Sequence, residues 1–146
     1  GFDMLLASAP AMPEHGSVNG VAQAVLQELR SGDYPGAVAD LANHWVPQVS
    51  SMAVGRSVDG VTSTAADVLR DHLAHRQRFT GARLLWSGHW TTFDGPDWWV
   101  TVVGPPRESA AEANHWCEVN GFAVDECFAK FVSSAAGISG TTVYRE

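Results

Sequence analysis

The chain has 146 residues, enough for one domain with its own hydrophobic core, and its 45% hydrophobic and 17% charged residues are typical of a globular protein. The formal net charge of −7 argues against nucleic acids and anionic membrane surfaces as partners, because both attract surfaces rich in Lys and Arg. No segment has the roughly 18 consecutive apolar residues of a membrane span, so we expect no direct membrane insertion.

The first 44 residues are predicted to form a flexible lead-in followed by helices. Residues 1–17 show no hydrophobic periodicity, and the apolar stretch at residues 4–11 is too short for a signal-peptide core. Because the chain begins at Gly1 without Met, we expect a processed or excised fragment. Residues 18–44 are the predicted N-terminal helical segment, with one helix that stops at residues 31–36 and a short one from Ala37.

The next predicted elements are a strand and a capped helix. Residues 45–50 form the strand, where Pro47 indicates an edge position or a bulge because proline cannot donate to a ladder. The helix begins with a capping-box sequence in which Thr64 and Asp67 can accept from free backbone amides. Gly81 lies just past its end, where a left-handed residue is favoured.

The second half of the chain repeats this pattern. Residues 82–87 and 98–103 are predicted strands, separated by a turn-rich segment. Ser109 and Glu112 begin a helix that runs to about Asn120, and residues 127–133 form the last strong strand. Residues 134–146 are predicted to be a tail or to contain an edge strand.

The order of elements between residues 45 and 133 predicts the fold class. They follow the order β-α-β-β-α-β, and both helices begin with the same Ser/Thr-Ala-Ala-acid sequence. Two such halves predict an α+β, ferredoxin-like (split βαβ) domain, with a four-stranded antiparallel sheet, two helices on one face and additional N-terminal helices. Right-handed crossovers place the first and third strands in the middle of this sheet.

Cys117 and Cys127 are the two cysteines of the chain. They are either unpaired core residues or a disulfide. We favour the disulfide, because Cys117 falls near the end of the second helix and Cys127 at the start of the next strand, so a short connection can bring them together. A disulfide predicts an oxidising, extracytoplasmic location, and the spacing differs from the Cys-x-x-Cys spacing of redox sites.

Several segments resemble a known family. The sequences WVPQVSS at residues 45–51, ARLLWSG at 82–88 and WWVTV at 98–102, together with ANHWC at 113–117 and DECFAK at 125–130, resemble actinobacterial extracytoplasmic domains. Such domains occur alone or on receptor-type serine/threonine kinases. Residues 100–132 also resemble a sporulation-related repeat (SPOR) domain. That resemblance implies the βαββαβ layout and binding of peptidoglycan glycan on the open sheet face.

The strand sequences predict a binding surface on the sheet face that points away from the helices. If Val100 and Val102 face the helices, then Trp99 and Thr101 point outward. The same alternation predicts five further residues on this face: Gln48, Ser50, Leu85, Ser87 and Lys130. An aromatic ring with amide, hydroxyl and ammonium groups around it suits a sugar. The alternative is that the tryptophans belong to the core.

Other candidate residues lie on a loop and on a helix. His89 and Trp90 are predicted binding residues of the loop at 88–94, unless Trp90 and Phe93 fold that loop back. His72 and His75 share a helix, but no further ligand follows at a recognisable spacing, so we predict no metal and no cofactor. The chain also lacks a Gly-x-Ser-x-Gly elbow, a phosphate loop and a Cys/His nucleophile pair.

Together these features predict a non-catalytic, extracytoplasmic ligand-binding or sensor domain of the bacterial cell envelope. The expected partner is cell-wall glycan or another envelope component. One alternative is a dimeric α+β barrel enzyme that handles a small molecule or haem, which needs a deep apolar cavity. The other is a protein–protein interaction module of a receptor-kinase ectodomain, which would use the N-terminal helices or an exposed sheet edge.

Overall fold

The computed structural model describes residues 17–146, so the predicted lead-in at residues 1–17 lies outside it except for Ser17. The main elements follow this order: α1 (Val18–Gly36), a π-helical turn (Ala37–Leu41), β1 (His44–Met52), β2 (Ser57–Val58), β3 (Val61–Thr62), α2 (Ala65–Arg78), β4 (Ala82–Trp86), β5 (Trp99–Val103), α3 (Ala110–Val119), β6 (Phe128–Val132) and β7 (Thr142–Val143). A short 3₁₀ turn (Ser87–His89) follows β4.

The main sheet has five strands in the order β4-β5-β1-β6-β7, and all neighbours are antiparallel. The domain is therefore α+β and of the ferredoxin-like type, as predicted. Strands β1 and β5 lie between β4 and β6, where right-handed crossovers were expected to place them. The C-terminal residues form an edge strand, because β7 pairs with β6.

Helices α2 and α3 begin at the predicted caps. The Thr64 side chain accepts from the Asp67 amide while the Asp67 carboxylate accepts from the Thr64 amide, which is a complete capping box. At α3, Ser109 accepts from the Glu112 amide, but the Glu112 carboxylate accepts from the Glu108 amide. Local sequence therefore fixes where these helices start.

Helix α1 differs from the prediction, since it continues through residues 31–36 to Gly36. The cause is tertiary: Asp33, only 7% exposed, accepts from the Leu84 amide of β4 and forms a two-pronged ion pair with Arg76 of α2. These contacts hold α1 along the β4 edge and offset the weak helix propensity of Gly32 and Pro35.

Both faces of the sheet are buried over much of their area. On one face, Leu84 and Trp99 pack under α1 and α2, and Val103 packs beside Cys117 of α3. On the other face, Val100 and Val102 pack under Ala37, Leu41 and Trp90. The predicted orientation of β5 is therefore wrong. Trp99 and Thr101 face α1 and α2, whereas Val100 and Val102 lie on the opposite face of the sheet.

A small hairpin, β2–β3, was missed in the sequence. Its turn residues Asp59 and Gly60 have φ values of 52° and 79°. Asp-Gly is a preferred pair for such a two-residue turn, because both central residues need positive φ. The sequence Val58-Asp59-Gly60-Val61 therefore carried a readable hairpin signal.

The predicted disulfide is present. Cys117, near the end of α3, is bonded to Cys127, just before β6, with the Cα atoms 5.6 Å apart. Both residues are fully buried, and they pack with Val49, Ala82 and Val103. The bond thus closes the loop at residues 118–126 against the sheet.

Candidate functional site

Trp99 and Thr101, the centre of the predicted binding face, are structural residues. Trp99 is 3% exposed among α1 and α2 side chains. Thr101 is 2% exposed, and its hydroxyl accepts a hydrogen bond from Nδ1 of His72 at 2.9 Å. Nε2 of His72 accepts from Arg76, so the proton of the neutral ring must sit on Nδ1. Burial and the neighbouring Arg76 charge lower the pKa of His72 to about 4.

The predicted residues around the β4–β5 loop are also mostly structural. Leu85 is buried under Trp90 and the π-helical turn. Ser87 is buried, and its hydroxyl accepts from the Trp98 amide. Trp90 packs onto the sheet rather than into solvent, and Tyr34 contacts both Trp90 and the exposed His89. The loop therefore folds back on the domain, which was the alternative considered for it.

Gln48 and Lys130 do lie on the face away from the helices, as predicted, and both line a cleft there. Ser50 does not, because the β1–β5 register is irregular between Gln48 and Ser50. This irregularity, beside Pro47, turns Ser50 towards α2, where its hydroxyl donates to Asp71. Ser51 takes its place in the cleft.

Two adjoining clefts share Gln48, Ser51 and Phe128, and we call them together the Gln48 groove. The inner cleft, of about 140 Å³, lies over the sheet, and the outer cleft, of about 470 Å³, lies between β1 and the disulfide-closed loop. The inner cleft is further lined by Phe93, Asp94, Trp98, Lys130, Ile138, Thr142 and Tyr144. The outer cleft is further lined by Val49, Ser50, Asp71, His75, Phe122, Asp125 and Glu126.

Gln48 is the polar side chain at the centre of this groove. It is 8% exposed and lines both clefts, so its amide is open only towards the groove. Its side chain makes no hydrogen bond to any residue between 17 and 146. An amide has two donor hydrogens and an acceptor oxygen, and those of Gln48 face the groove without a partner among the described residues. A ligand in the groove would supply those partners.

Lys130 builds the wall of the inner cleft. Its ammonium donates to the Thr92 carbonyl and to the hydroxyls of Thr141 and Thr142, at 2.5, 3.1 and 2.9 Å. Nζ also lies 5.2 Å from the centre of the Phe93 ring. Burial lowers the pKa of Lys130 to about 8, although the nearby Asp94 charge favours the protonated form. All three donor hydrogens are used, so Lys130 shapes the cleft rather than contacting a ligand.

The wall of the outer cleft is a loop without strand pairing that is held at several points. The disulfide fixes its end at Cys127. Arg145 donates to the carbonyls of Phe122 and Ala123. The Phe122 ring is stacked against the His75 ring, with 6.4 Å between the ring centres. This loop carries Asp125 and Glu126 into the groove with exposed carboxylates.

The polar groups of the groove do not form a hydrolytic triad. Ser50 donates to Asp71 at 2.5 Å, and His75 Nδ1 bonds the Asp71 backbone carbonyl at 3.0 Å. Ser50 therefore lacks the histidine base that a serine nucleophile needs. What the groove offers is aromatic surface beside amide, hydroxyl and carboxylate groups, which is the composition of a binding site.

Sequence reasoning missed the aromatic members of the groove, which come from distant parts of the chain. Phe93 and Trp98 flank the turn-rich segment, Phe128 begins β6, and Tyr144 packs against Phe128 at 4.9 Å from the C-terminal segment. Asp94, Asp125 and Glu126 were not among the predicted site residues either. Only the tertiary fold assembles these residues.

Fold and site together define the class: a disulfide-bonded α+β domain of the ferredoxin-like type with a small aromatic and acidic groove beside its central strand. Comparison with family models, curated proteins and solved structures finds no match for the chain. Among residues 17–146, no helix is both long and apolar enough to cross a membrane. The same residues contain no cluster of three or more His, Cys, Asp or Glu side chains placed to hold a metal ion.

Proposed function

We propose that this protein is a non-catalytic binding domain of the bacterial cell envelope that takes a glycan in the Gln48 groove. The disulfide supports an oxidising, extracytoplasmic compartment. The proposal replaces the open sheet face with the groove as the binding surface, because much of that face is covered by Ala37, Leu41 and Trp90.

The observation that carries the proposal is the Gln48 side chain, which is 8% exposed, lines both clefts and has no hydrogen-bond partner among residues 17–146. Sugars present hydroxyl groups that pair with amides and an apolar ring face that packs on aromatic side chains. Trp98 and Phe128 both line the inner cleft and supply such surface, and Ser51 adds a hydroxyl. The small inner cleft suits part of one sugar unit, while the larger outer cleft leaves room for the next.

The test is retention of the purified, oxidised chain on insoluble peptidoglycan and on chitin beads. Gln48→Met keeps the length of the side chain and removes its hydrogen-bonding atoms, so we expect a loss of affinity of about tenfold for one or two hydrogen bonds. Gln77→Met is the matched control, since Gln77 is exposed on α2 outside the groove. This control is expected to bind like the unchanged chain.

A second measurement covers the case in which Gln48→Met does not fold. Soluble glycan fragments are titrated into the unchanged chain, and the indole N–H signals of the tryptophans are followed by NMR. We expect Trp98 to shift and the core residue Trp99 to stay constant. Failure of every glycan to bind, or indole shifts that exclude Trp98, would overturn the proposed function.

A further inference from the structure

The charge of the Gln48 groove points to a narrower ligand class. Four of its lining residues are carboxylates: Asp71, Asp94, Asp125 and Glu126. Lys130 is the one Lys or Arg residue among the described lining residues, and its three donors are bonded to threonine and backbone oxygens. A ligand that enters the groove therefore meets a surplus of negative charge.

The carboxylates differ in how free they are. Asp71 accepts from Ser50 and lies 3.7 Å from Nδ1 of His75. In contrast, Asp94, Asp125 and Glu126 take part in none of the ion pairs found within residues 17–146. Nothing between residues 17 and 146 neutralises these three groups by direct ion pairing, so they are available to a cationic partner.

An acidic cluster alone does not define a site, and here the Gln48 side chain, 8% exposed and without a hydrogen-bond partner among residues 17–146, provides the second, independent feature. It lies between the inner cleft with Asp94 and the outer cleft with Asp125 and Glu126. A ligand that satisfies the Gln48 amide and packs on Phe128 thus has carboxylates on both sides. A sugar whose substituent is an ammonium group meets all three requirements: an apolar ring face, hydroxyl groups and positive charge.

We infer that the groove selects glycans that contain 2-amino sugars with a free amino group over the same glycans in N-acetylated form. This inference rests on the proposed function and specifies its ligand. N-acetylation replaces the ammonium group by a neutral acetamido group, so the acetylated sugar keeps the stacking and hydroxyl contacts but loses the attraction to the carboxylates. An anionic sugar would be repelled.

The experiment compares chitosan hexamer with chitin hexamer, which have the same backbone and differ in N-acetylation. Binding to the full chain is measured by calorimetry at low and at physiological salt. Exposed ion pairs are individually weak, and two or three of them together predict an affinity about tenfold higher for chitosan at low salt. Added salt should reduce this preference because it screens exposed charges.

Two double variants each remove two negative charges, one pair inside the groove and one pair outside it. Asp125→Asn with Glu126→Gln is expected to reduce the preference for chitosan at least threefold and to leave chitin binding unchanged. Glu28→Gln with Glu118→Gln, both on exposed helix positions, is expected to keep the preference. If the control pair reduces the preference as much, the effect is long-range attraction and the inference is wrong.

The remaining outcomes separate the two proposals. Equal or tighter binding of chitin hexamer would overturn the inference while the proposed glycan-binding function stands. No binding of either hexamer, with no retention on peptidoglycan, removes the proposed function itself. Spermidine that competes as strongly as chitosan hexamer at equal charge would show a general cation site and would also overturn the sugar-specific inference.

Discussion

Removal of the Cys117–Cys127 cross-link is expected to cost about 3 kcal/mol of folding free energy. The two residues are ten positions apart, and the chain-entropy relation for a closed loop of this size gives about 3 kcal/mol at 25 °C. A domain of this size has a net stability of about 5–15 kcal/mol. The reduced chain should therefore still fold at room temperature but unfold at distinctly lower urea concentration.

The assay is urea unfolding followed by tryptophan fluorescence, with the oxidised chain compared with the chain reduced in denaturant and refolded in reductant. Because both cysteines are fully buried, reduction of the native protein should be slow unless the loop opens. Cys117→Ala with Cys127→Ala should lose at least as much stability as reduction, since it also removes buried sulfur atoms. A difference below about 1 kcal/mol between oxidised and reduced chains would refute the loop-entropy reasoning.

Three further predictions concern buried ionisable groups. The pKa of His72 falls from 6.5 to about 4 on folding, so the unfolded state binds more protons between these two pH values. The free energy of unfolding should therefore fall by about 3 kcal/mol as the pH drops from 6.5 to 4. His72→Gln should flatten that part of the curve of stability against pH. Asp33→Ala leaves the Arg76 charge and the Leu84 amide without their partner, and denaturant unfolding should show a loss of about 3 kcal/mol. Lys130 is the sole lysine of the chain, so its side-chain ¹³Cε signal in the ¹³C-labelled protein reports its titration. A midpoint near pH 8 is expected, with stability rising from pH 8 to 10.5 in the unchanged chain but not in Lys130→Met. A midpoint close to 10.5 contradicts the burial argument for Lys130.

Local sequence signals were sufficient for the starts of α2 and α3 and for the disulfide. The Thr64–Asp67 capping box and the cysteines at either end of a short connection each act over a few residues, so the sequence displays them directly. The end of α1 was not predictable in this way. Its last turns depend on Asp33 meeting Arg76 and Leu84, which are 43 and 51 positions away along the chain.

Strand orientation was the harder problem. The alternation of polar and apolar residues shows which sheet face a strand residue lies on only when one face is polar. Strand β5 is buried at all five positions from Trp99 to Val103. The sequence could not show which of Trp99 and Val100 meets the helices. At Gln48 and Ser50 the irregular register breaks the alternation, so two residues predicted to share a face lie on opposite sides of the sheet.

The placement of Lys130 links stability to the shape of the groove. An ammonium group that loses water and gains no carboxylate partner within hydrogen-bonding distance destabilises the folded state at neutral pH, which the lowered pKa expresses. An apolar residue at this position in β6 would avoid that cost. It could not, however, donate to Thr92, Thr141 and Thr142, and so would leave the β4–β5 loop joined to the start of β7 by fewer bonds, such as that from the Thr141 hydroxyl to the Thr92 carbonyl. The lysine therefore lowers stability but helps to fix the inner cleft, while the disulfide and Arg145 fix the outer wall. A groove held by Lys130, the disulfide and Arg145 is preorganised. A ligand that binds there therefore loses little free energy to the ordering of side chains and loops.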